Sequence, residues 1–558
     1  MARADDSHGN KLLLAVIALT AAVPMLHMGI HDRIDYDGWW HVFIAREAPW
    51  SSFWADVDRN AHPPLFYLLL RPMTWLGSGR LVYRALSIVA AVVATYVVGR
   101  IATRVFRTPA VSLLCAFAFG LAVPTAIIAC AVRSYMVTVT LVLVAFRLYL
   151  DLIDPARERI EPRTRALFVV ALLGAILSHY SGIFFAGAAV ALPCLYAAVD
   201  RRYRAWFGQR LRAHWRDDLA TLIPITVVIV AAYAVHIAKL NETLRYVSVY
   251  YPALAASAAE FARGAASFLA HAIVAEIDLF SPLPIGGLPA MVRAIVVVLL
   301  VALAAALGLT LRRRSDCAVA SAPLGMLMII AIAMVGAALA RRYPFGGFLR
   351  QQFILFPFAM LAAFALVDEV VARRGAQRFV AALGVAVMVN AVVQRSLLHF
   401  FPGEPGSRES AQFHRFLDDS HAVYVDKFSL IPFFASHQRD TWSAQTELGE
   451  GFVALPVRQG ERSLLVVRDL TRWTADLSDP RLYRDLRGLL ERTELPSIDL
   501  FRMRLDAHLL PTTPTHERAQ VAESIVQAAR SEDVHVERLV FDGFHVYARV
   551  QLSDRAAR

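Results

Sequence analysis

The stretch from Leu12 to Trp40 is LLLAVIALTAAVPMLHMGIHDRIDYDGWW. Residues 12–30 are mostly apolar and about as long as a helix that crosses a bilayer. Three aspartates and two tryptophans follow at once, and no convincing small-residue cleavage site precedes His31. The pattern predicts a retained first transmembrane helix rather than a removed signal peptide, with an acidic and aromatic segment at its end.

The composition of the whole chain is that of a membrane protein. Of its 558 residues, 57% are apolar and 18% are charged, whereas soluble domains have about 45–50% and about 25%. A single soluble globule is therefore excluded. Apolar stretches predict about eleven transmembrane helices, at about 12–30, 81–99, 110–130, 136–153, 166–182, 183–199, 219–237, 289–311, 318–340, 351–370 and 379–396.

The distribution of charge predicts the orientation. The formal net charge is +11, of which residues 1–396 carry +15 and residues 397–558 carry −4. Arginines of the apolar part fall mainly in alternate connections between predicted helices, and such connections face the cytoplasm. With an odd number of spans, the N-terminus is then cytoplasmic and the C-terminal part lies outside. Positive charge placed this way indicates orientation and not a nucleic-acid partner.

From about Glu404 the composition is that of a soluble α/β domain. The pattern predicts strands at His421–Phe428, Ser463–Val467, Glu537–Phe541 and Phe544–Leu552, a hairpin turn at Asp542-Gly543, and helices at about 409–418, 480–492 and 515–531. We therefore expect a transmembrane domain over residues 1–400, with a large first outer loop at 31–80, and an extracytoplasmic α/β domain over residues 401–558. The α/β domain carries no catalytic motif, so a packing or recognition role is expected.

Asp35 and Asp37 are candidate catalytic residues because they follow the first span directly. A carboxylate held at the membrane boundary can act as a general base or bind a metal. Solvated loop acids are the simpler alternative.

The four cysteines lie in or beside apolar runs, so neither a disulfide framework nor a cysteine metal site is predicted; they are Cys115, Cys130, Cys194 and Cys317.

His62 is a second candidate, later in the first outer loop. Pro63 and Pro64 follow it, remove two backbone donors and fix φ. They should launch a helix at Leu65–Leu70 that lies at the membrane interface. The prolines are explained by the start of this helix, whereas His62 is not.

Further candidates lie at the predicted outer ends of other spans, namely Arg133, Tyr135, His179, Tyr180, Arg342 and Arg350. Each alone is typical of an interfacial anchor. The predicted topology, however, puts all of them on the same side as Asp37 and His62. Arginines there can bind a phosphate or pyrophosphate through bidentate hydrogen bonds, and the Gly346-Gly347 backbone can approach the same anion.

These segments together resemble GT-C-fold glycosyltransferases that use polyprenyl-phosphate sugars. The resemblance is specifically to the bacterial glycosyltransferase family 39 branch, related to protein O-mannosyltransferases and aminoarabinose transferases. Five motifs carry it, in order over about residues 10–400: Asp35-Tyr-Asp37, His62-Pro-Pro-Leu-Phe-Tyr-Leu-Leu-Leu70, Tyr83-Arg84-Ala-Leu-Ser87, Arg133-Ser-Tyr135 and Tyr343-Pro-Phe-Gly-Gly-Phe-Leu-Arg350. Each motif is short, and their order and topology are the stronger evidence.

The resemblance implies inverting transfer of a sugar from a polyprenyl-phosphate donor at the outer face of a bacterial cytoplasmic membrane. The acceptor would be a lipid, a glycan or a protein. An outer-loop aspartate would be the base, with Asp37 as first choice and Asp35 as the alternate; many relatives have Asp-Glu here, whereas Gly38 follows Asp37. Residues that would bind the phosphate or sugar are His62, Arg133, Tyr135, His179, Tyr180, Arg342 and Arg350. Some GT-C enzymes use a divalent cation, but one clear aspartate and two histidines do not make a convincing site.

Two other classes of protein fit parts of the sequence. A transporter or lipid flippase also needs about eleven spans, but it would place polar or broken helices at the midplane, whereas the polar residues here gather at one rim. A non-catalytic assembly or receptor protein would leave the His62 loop and the outer arginines without a role.

Overall fold

The computed structural model describes residues 8–32, 34–46, 50–60, 62–77, 79–157, 160–239, 318–340, 342–343, 349–374, 382, 384, 421–426, 429–430, 446–449, 451–459, 462–469, 471–472, 475–503, 515–542 and 545–556. Two compact units make up the chain. The helical unit comprises Met1–Asp32, Arg59–Met73 and Arg80–Phe400, and the sheet unit comprises Arg33–Asp58, Thr74–Gly79 and Phe401–Arg558. Two segments of the first outer loop therefore pack with the C-terminal part, whereas the sequence-based boundary at 400/401 keeps them with the transmembrane domain.

The helices that precede the sheet are α1 (His8–His31), α2 (Tyr36–Arg46), α3 (Trp50–Arg59), α4 (Leu65–Leu76), α5 (Arg80–Val105), α6 (Pro109–Leu121), α7 (Val123–Cys130), α8 (Tyr135–Leu152), α9 (Pro162–Ser178), α10 (Gly182–Val199), α11 (Arg201–Ala232), α12 (Ala318–Leu339), α13 (Leu349–Gln352) and α14 (Phe356–Arg374). A π-helical turn, Tyr233–Ile237, continues α11, and a 3₁₀ turn, Phe353–Leu355, joins α13 to α14.

The helical unit is that of a polytopic membrane protein. Among the described residues, seven helices are long and apolar enough to cross a membrane, or eight if the bent pair α6 and α7 forms one span. The predicted count of eleven is thus not confirmed. Predicted spans 289–311 and 379–396 lie outside the described residues apart from residues 382 and 384, and α9, over predicted span 166–182, has only 17 residues.

The predicted span at 110–130 is broken. The axes of α6 and α7 differ by 48°, and Ala122 between them has an extended backbone (φ −61°, ψ 138°). Pro124 lies in the first turn of α7 and has no N–H with which to continue the hydrogen bonds of α6. The break therefore follows from the sequence, although hydropathy alone does not reveal it.

Small residues let α1, α5 and α6 pack closely. A Cβ at Gly120 of α6 would lie 2.7 Å from Cβ of Ala21 on α1 and 2.8 Å from Cγ2 of Thr95 on α5. No side chain larger than hydrogen fits at this crossing. Close approach through small residues is a common way for helices to associate in membranes, where hydrophobic exclusion from water is absent.

A buried arginine on α5 binds the C-terminal ends of two other helices. Arg84 of α5 is 2% exposed, and its guanidinium donates to the carbonyl oxygens of Gly29 (2.7 Å), Asp32 (2.8 Å) and Cys130 (2.6 Å). Gly29 lies in the last turn of α1, and Cys130 ends α7. A cation at a helix C-terminus satisfies free carbonyl groups and complements the helix dipole. Arg84 therefore stabilises the C-terminal end of α1, where it binds the Gly29 and Asp32 carbonyls.

The described residues of the sheet unit form a seven-stranded mixed sheet in the order β2-β3-β4-β1-β5-β7-β6. The strands are β1 (Ala422–Val425), β2 (Thr446–Gly449), β3 (Phe452–Gln459), β4 (Arg462–Asp469), β5 (Ile498–Met503), β6 (Val534–Asp542) and β7 (His545–Leu552), and the helices are α15 (Pro480–Thr493), α16 (Thr515–Arg530) and α17 (Ser553–Ala556). Strand β1 is parallel to β4 and β5, and the other pairs are antiparallel.

A C-terminal domain built on a sheet is thus confirmed, and β6 and β7 form the predicted antiparallel pair. Strands β2, β3 and β5 were not predicted. The predicted helix at 409–418 lies outside the described residues. An apolar core between the sheet and α15 and α16 includes Tyr424, Leu486, Leu490, Leu500 and Ala529.

Helices α2 and α3 belong to the sheet unit because a buried charge pair holds them there. Arg468 of β4 forms an ion pair with Asp56 of α3, and both side chains are 0% exposed. The guanidinium carbon also lies 4.1 Å from the ring centroid of Phe43 and 6.0 Å from that of Trp40, both on α2. A single strand residue therefore contacts both loop helices.

Candidate active site

Three ring side chains from separate connections meet in the helical unit. His62 precedes α4, Tyr135 begins α8, and His179 follows α9. The ring centroids lie 5.1 Å apart for His62 and His179, 4.7 Å for Tyr135 and His179, and 5.9 Å for His62 and Tyr135. Tyr135 and His179 are each 6% exposed, and His62 is half-buried. We call these three residues the ring cluster.

The protonation of His179 is fixed by its neighbour Ser181. The backbone N–H of Ser181 donates to Nδ1 of His179 at 3.1 Å, and the Ser181 hydroxyl lies 2.8 Å from the same nitrogen. A backbone N–H can only donate, so Nδ1 is the acceptor and the ring proton is on Nε2. His179 is thus held as a neutral imidazole that offers one N–H donor.

His62 is positioned by the start of α4, as the prolines suggest. The Pro64 carbonyl accepts from the Leu68 N–H at 3.1 Å, which begins the helix. The helix runs to Leu76, beyond the predicted end at Leu70, and includes Pro72. Its exposed side chains include Leu69 and Trp75, in agreement with an interfacial helix.

A second pair, Tyr180 and His236, was not anticipated. The Tyr180 hydroxyl is hydrogen-bonded to Nδ1 of His236, and the ring centroids are 5.7 Å apart. His236 is 7% exposed and lies in the π-helical turn after α11, a local geometry often found at functional sites. In the sequence, His236 was one histidine in an apolar run, which is more typical of a core residue.

Tyr343 and the arginines lie at other ends of helices. The Tyr343 hydroxyl donates to the Gln351 carbonyl at 2.9 Å, and the Tyr343 ring lies 5.0 Å from that of Phe184, at the start of α10. Arg342 is exposed and Arg350 is half-buried on α13. The predicted Gly346-Gly347 loop lies outside the described residues.

Arg133 is 4% exposed, just before Tyr135. Its carbonyl lies 3.4 Å from the Ser87 hydroxyl, which donates to it. The backbone of Arg133 is therefore fixed next to α5. Of the predicted helical-unit residues, the structure brings His62, Tyr135 and His179 into mutual contact and joins Tyr180 to His236.

Asp35 and Asp37 lie at the start of α2 in the sheet unit and have different surroundings. The Asp35 carboxylate accepts from the backbone N–H of Gly38 at 3.1 Å, the geometry of a helix N-cap. Asp37 is in the first turn, and its carbonyl, not its carboxylate, accepts from Nδ1 of His41 at 2.7 Å. The cap gives the Asp35 carboxylate a structural role at the start of α2.

No group of three or more histidines, cysteines, aspartates or glutamates that could hold a metal ion occurs in the part of the chain that the structure describes. What the ring cluster offers is one imidazole N–H, a second imidazole and a phenol on one partly buried surface. Such donors suit the oxygens of a phosphate or a sugar, because both need several directed hydrogen bonds.

No family model matches the chain, and no curated protein sequence matches it. Among solved structures, the chain is similar to apo ArnT from Cupriavidus metallidurans, with a TM-score of 0.47, 13% identity and 98% of both chains covered. It is also similar to the oligosaccharyltransferase AglB from Archaeoglobus fulgidus in complex with an inhibitory peptide and a dolichol-phosphate, with a TM-score of 0.46, 12% identity, and 93% of this chain and 72% of that chain covered.

The Pmt1-Pmt2 protein O-mannosyltransferase complex of S. cerevisiae, bound to its sugar donor, is a third similar structure. The TM-score is 0.32 and the identity 16%, over 44% of this chain and 35% of the yeast chain. The chain thus spans about a third of the length of that relative.

Proposed function

We propose that the chain is an integral membrane glycosyltransferase of the GT-C type. It transfers a sugar from a polyprenyl-phosphate donor to a lipid, glycan or protein acceptor, with inversion, at the outer face of a bacterial cytoplasmic membrane. The N-terminus is then cytoplasmic and the sheet unit extracytoplasmic. The observation that carries the proposal is the ring cluster, in which His179 is restricted to donating one N–H.

The ring cluster supports anion or sugar binding more than proton abstraction. Nδ1 of His179 is occupied by Ser181 and Nε2 already carries the proton, so neutral His179 has no free lone pair for a substrate proton. A donor N–H aimed at a phosphate oxygen becomes more valuable as negative charge grows on that oxygen during bond cleavage. In the proposed reaction, His62, Tyr135 and His179 hold the donor phosphate or its sugar.

Asp37 is the proposed general base, with Asp35 as the alternate. The base takes the proton from the acceptor hydroxyl while the hydroxyl oxygen attacks the anomeric carbon. The bond from that carbon to the phosphate oxygen breaks, and the lipid phosphate leaves with the bonding electrons. Attack from the side opposite the phosphate inverts the configuration. The N-cap hydrogen bond of Asp35 to Gly38 favours Asp37 for this role.

Arginines complete the proposed donor site. Arg133, Arg342 and Arg350 would neutralise the phosphate that leaves, and Tyr180 would bind the sugar or phosphate together with His236. Guanidinium groups form strong bidentate hydrogen bonds with phosphate. Because a phosphate is already a good leaving group when its charge is balanced, the scheme needs no separate general acid.

The test compares Asp37→Asn with Asp35→Asn in purified protein supplied with a radiolabelled polyprenyl-phosphate sugar. Asparagine is as good an N-cap as aspartate, so Asp35→Asn keeps the helix start and removes only the carboxylate. We expect Asp37→Asn to lose about 10²–10⁴-fold in rate, the usual contribution of a general base, and Asp35→Asn to lose far less. The reverse order would make Asp35 the base, and full transfer by both variants would refute the mechanism.

A transporter or flippase remains the second candidate because of one observation, the break between α6 and α7. Discontinuous helices often line substrate sites at the midplane of transporters. The residues at this break are Ala122, Val123 and Pro124, which offer no charged or polar side chain to a substrate. Solute uptake into liposomes by the purified protein, without any sugar transfer, would favour the transporter.

A further inference from the structure

The first half of α11 is a distinct basic segment. Residues 201–213, which we call the basic segment, end at a break where His214 has the non-helical angles φ −129° and ψ 22°. The apolar part of α11 follows after Asp218. Because several arginines in a row are costly in hydrocarbon, the basic segment must lie outside the bilayer core, at the surface where α11 enters it.

One face of the basic segment is fixed on the helical unit. Tyr203 is 5% exposed, and its ring lies 5.4 Å from that of Tyr196 on α10. Arg210 donates to the carbonyl of Leu152 at the end of α8 and lies 3.4 Å from the Asp218 carboxylate. The orientation of the segment is therefore set before any ligand binds.

The opposite face is basic and contains an open groove. Arg201, Arg202, Arg204 and Arg212 are exposed, and residues 201–213 include no aspartate or glutamate. The groove has a volume of about 830 Å³ and is lined by Arg204, Ala205, Gly208, Gln209, Arg212 and Ala213. Arg204 and Arg212 are two turns of the helix apart, and Ala205, Gly208 and Gln209 lie between them.

The arginine at one end of this groove is held in place by hydrogen bonds. Arg204 donates from Nε to the Ala197 carbonyl (2.6 Å) and from a terminal nitrogen to the Ala198 carbonyl (2.8 Å), so its guanidinium is held in place at the end of α10. A Cβ at Gly208 would meet no atom within 4 Å. A larger residue would therefore fit at position 208 without a clash. Glycine is present there although it destabilises a helix.

We propose that this groove binds the phosphate headgroup of an anionic phospholipid in the adjoining leaflet. A guanidinium pairs with phosphate through two parallel hydrogen bonds, and clusters of arginines next to a membrane helix attract anionic lipids. The fixed basic segment loses little freedom when the lipid binds. This site is separate from the ring cluster, and the inference does not depend on the proposed glycosyltransferase activity.

Binding is measured with full-length protein in a neutral detergent, by titration with dioctanoyl phosphatidylglycerol and detection of bound lipid by native mass spectrometry. Dioctanoyl phosphatidylcholine and inorganic phosphate are titrated in parallel. We expect tighter binding of phosphatidylglycerol than of phosphatidylcholine. Arg212→Gln should weaken it about fivefold, the share expected of one arginine at an anionic surface.

Two further variants make the test specific. Gly208→Leu puts a side chain into the groove and should weaken lipid binding without a change of charge. Arg163→Gln removes an exposed arginine at the start of α9 and should leave binding unchanged. Equal affinity for both lipids, or equal losses in Arg163→Gln and Arg212→Gln, would overturn the proposal. Competition by inorganic phosphate at the concentration of the lipid would show a site for free phosphate instead.

Discussion

The ion pair between Arg468 and Asp56 is expected to stabilise the sheet unit strongly. Both side chains are 0% exposed, so removing one partner leaves the other as a buried, uncompensated charge. Such changes cost about 3–5 kcal/mol. Arg468→Met also removes the stacking of the guanidinium on Phe43 at 4.1 Å, worth about 1–2 kcal/mol when desolvated, so it should be the more damaging single change, with Asp56→Leu below it.

The double variant is the informative one. Asp56→Leu combined with Arg468→Met replaces the pair by apolar side chains, and such replacements are often neutral or stabilising. The double variant should therefore be more stable than either single variant. The two losses are not additive because each single change derives its cost from the partner that remains.

The assay is pulse proteolysis of the full-length protein in detergent across a urea series. With a urea dependence of about 1–3 kcal/mol per molar, a loss of about 3–5 kcal/mol should move the midpoint for the sheet unit down by about 1–5 M in the single variants. Arg481→Met is the matched control, since its partner Asp479 is 25% exposed and Arg481 is 79% exposed, and exposed pairs contribute about 0–1 kcal/mol. Midpoint shifts below about 0.5 M in the single variants, or losses that add up in the double variant, would refute the reasoning.

Three other predictions follow from single contacts. Ser181→Ala removes the hydroxyl near His179 but keeps the backbone N–H bond, so we expect a loss of a few-fold in sugar transfer at an unchanged melting temperature; an unchanged rate would contradict the positioning role. Arg84→Gln leaves helix-end carbonyls without their donor and should cost about 2–5 kcal/mol, seen as a lower melting temperature in detergent; stability like that of wild type would be the contrary result. The guanidinium of Arg484 holds the pKa of the Glu532 carboxyl below its ordinary value of about 4.3, so this pair stabilises the fold above that value and its contribution is lost as the pH falls through the lower folded-state pKa. Glu532→Gln should therefore melt below wild type at neutral pH and equal to it in strong acid, and a difference that grows on acidification would have the wrong sign.

Hydropathy predicted the seven long apolar helices of the described residues because a span is a local property of about twenty residues. Hydropathy does not reveal where a helix bends or which distant segments of the chain contact each other. The bend between α6 and α7 depends on one proline, Pro124, within a run that is apolar on both sides. The assignment of α2 and α3 to the sheet unit depends on Arg468 and Asp56, which are 412 positions apart, and no periodicity in the sequence records such a contact.

Strand β3 shows why the sheet was only partly predicted. Its sequence, FVALPVRQ, contains Pro456, which argues against a strand in the middle of a sheet. In the structure, β2 pairs with β3 only as far as Ala454. In the part of the chain that the structure describes, no strand pairs with this side of β3 beyond Ala454, and an unpaired side tolerates a residue without an N–H. Sequence alone cannot show where a neighbouring strand ends.

The candidate site was predicted in part. Topology indicated that His62, Tyr135 and His179 would share one side of the membrane, because alternation of helices fixes the side of each connection. It did not indicate Ser181, whose effect on His179 depends on the backbone after α9, nor His236, whose π-helical turn lies at the end of a long apolar helix. The preference for Asp37 over Asp35 was already drawn from position in the sequence, and the N-cap hydrogen bond of Asp35 to Gly38 is a structural reason added to it.

The most direct test of the central claim is the initial rate of sugar transfer from a radiolabelled polyprenyl-phosphate sugar by wild type, Asp37→Asn and Asp35→Asn, with melting temperatures measured in parallel. The account predicts transfer by wild type, a loss of about 10²–10⁴-fold in Asp37→Asn, a much smaller loss in Asp35→Asn, and equal melting temperatures. Wild-type rates in both variants, at equal stability, would contradict it.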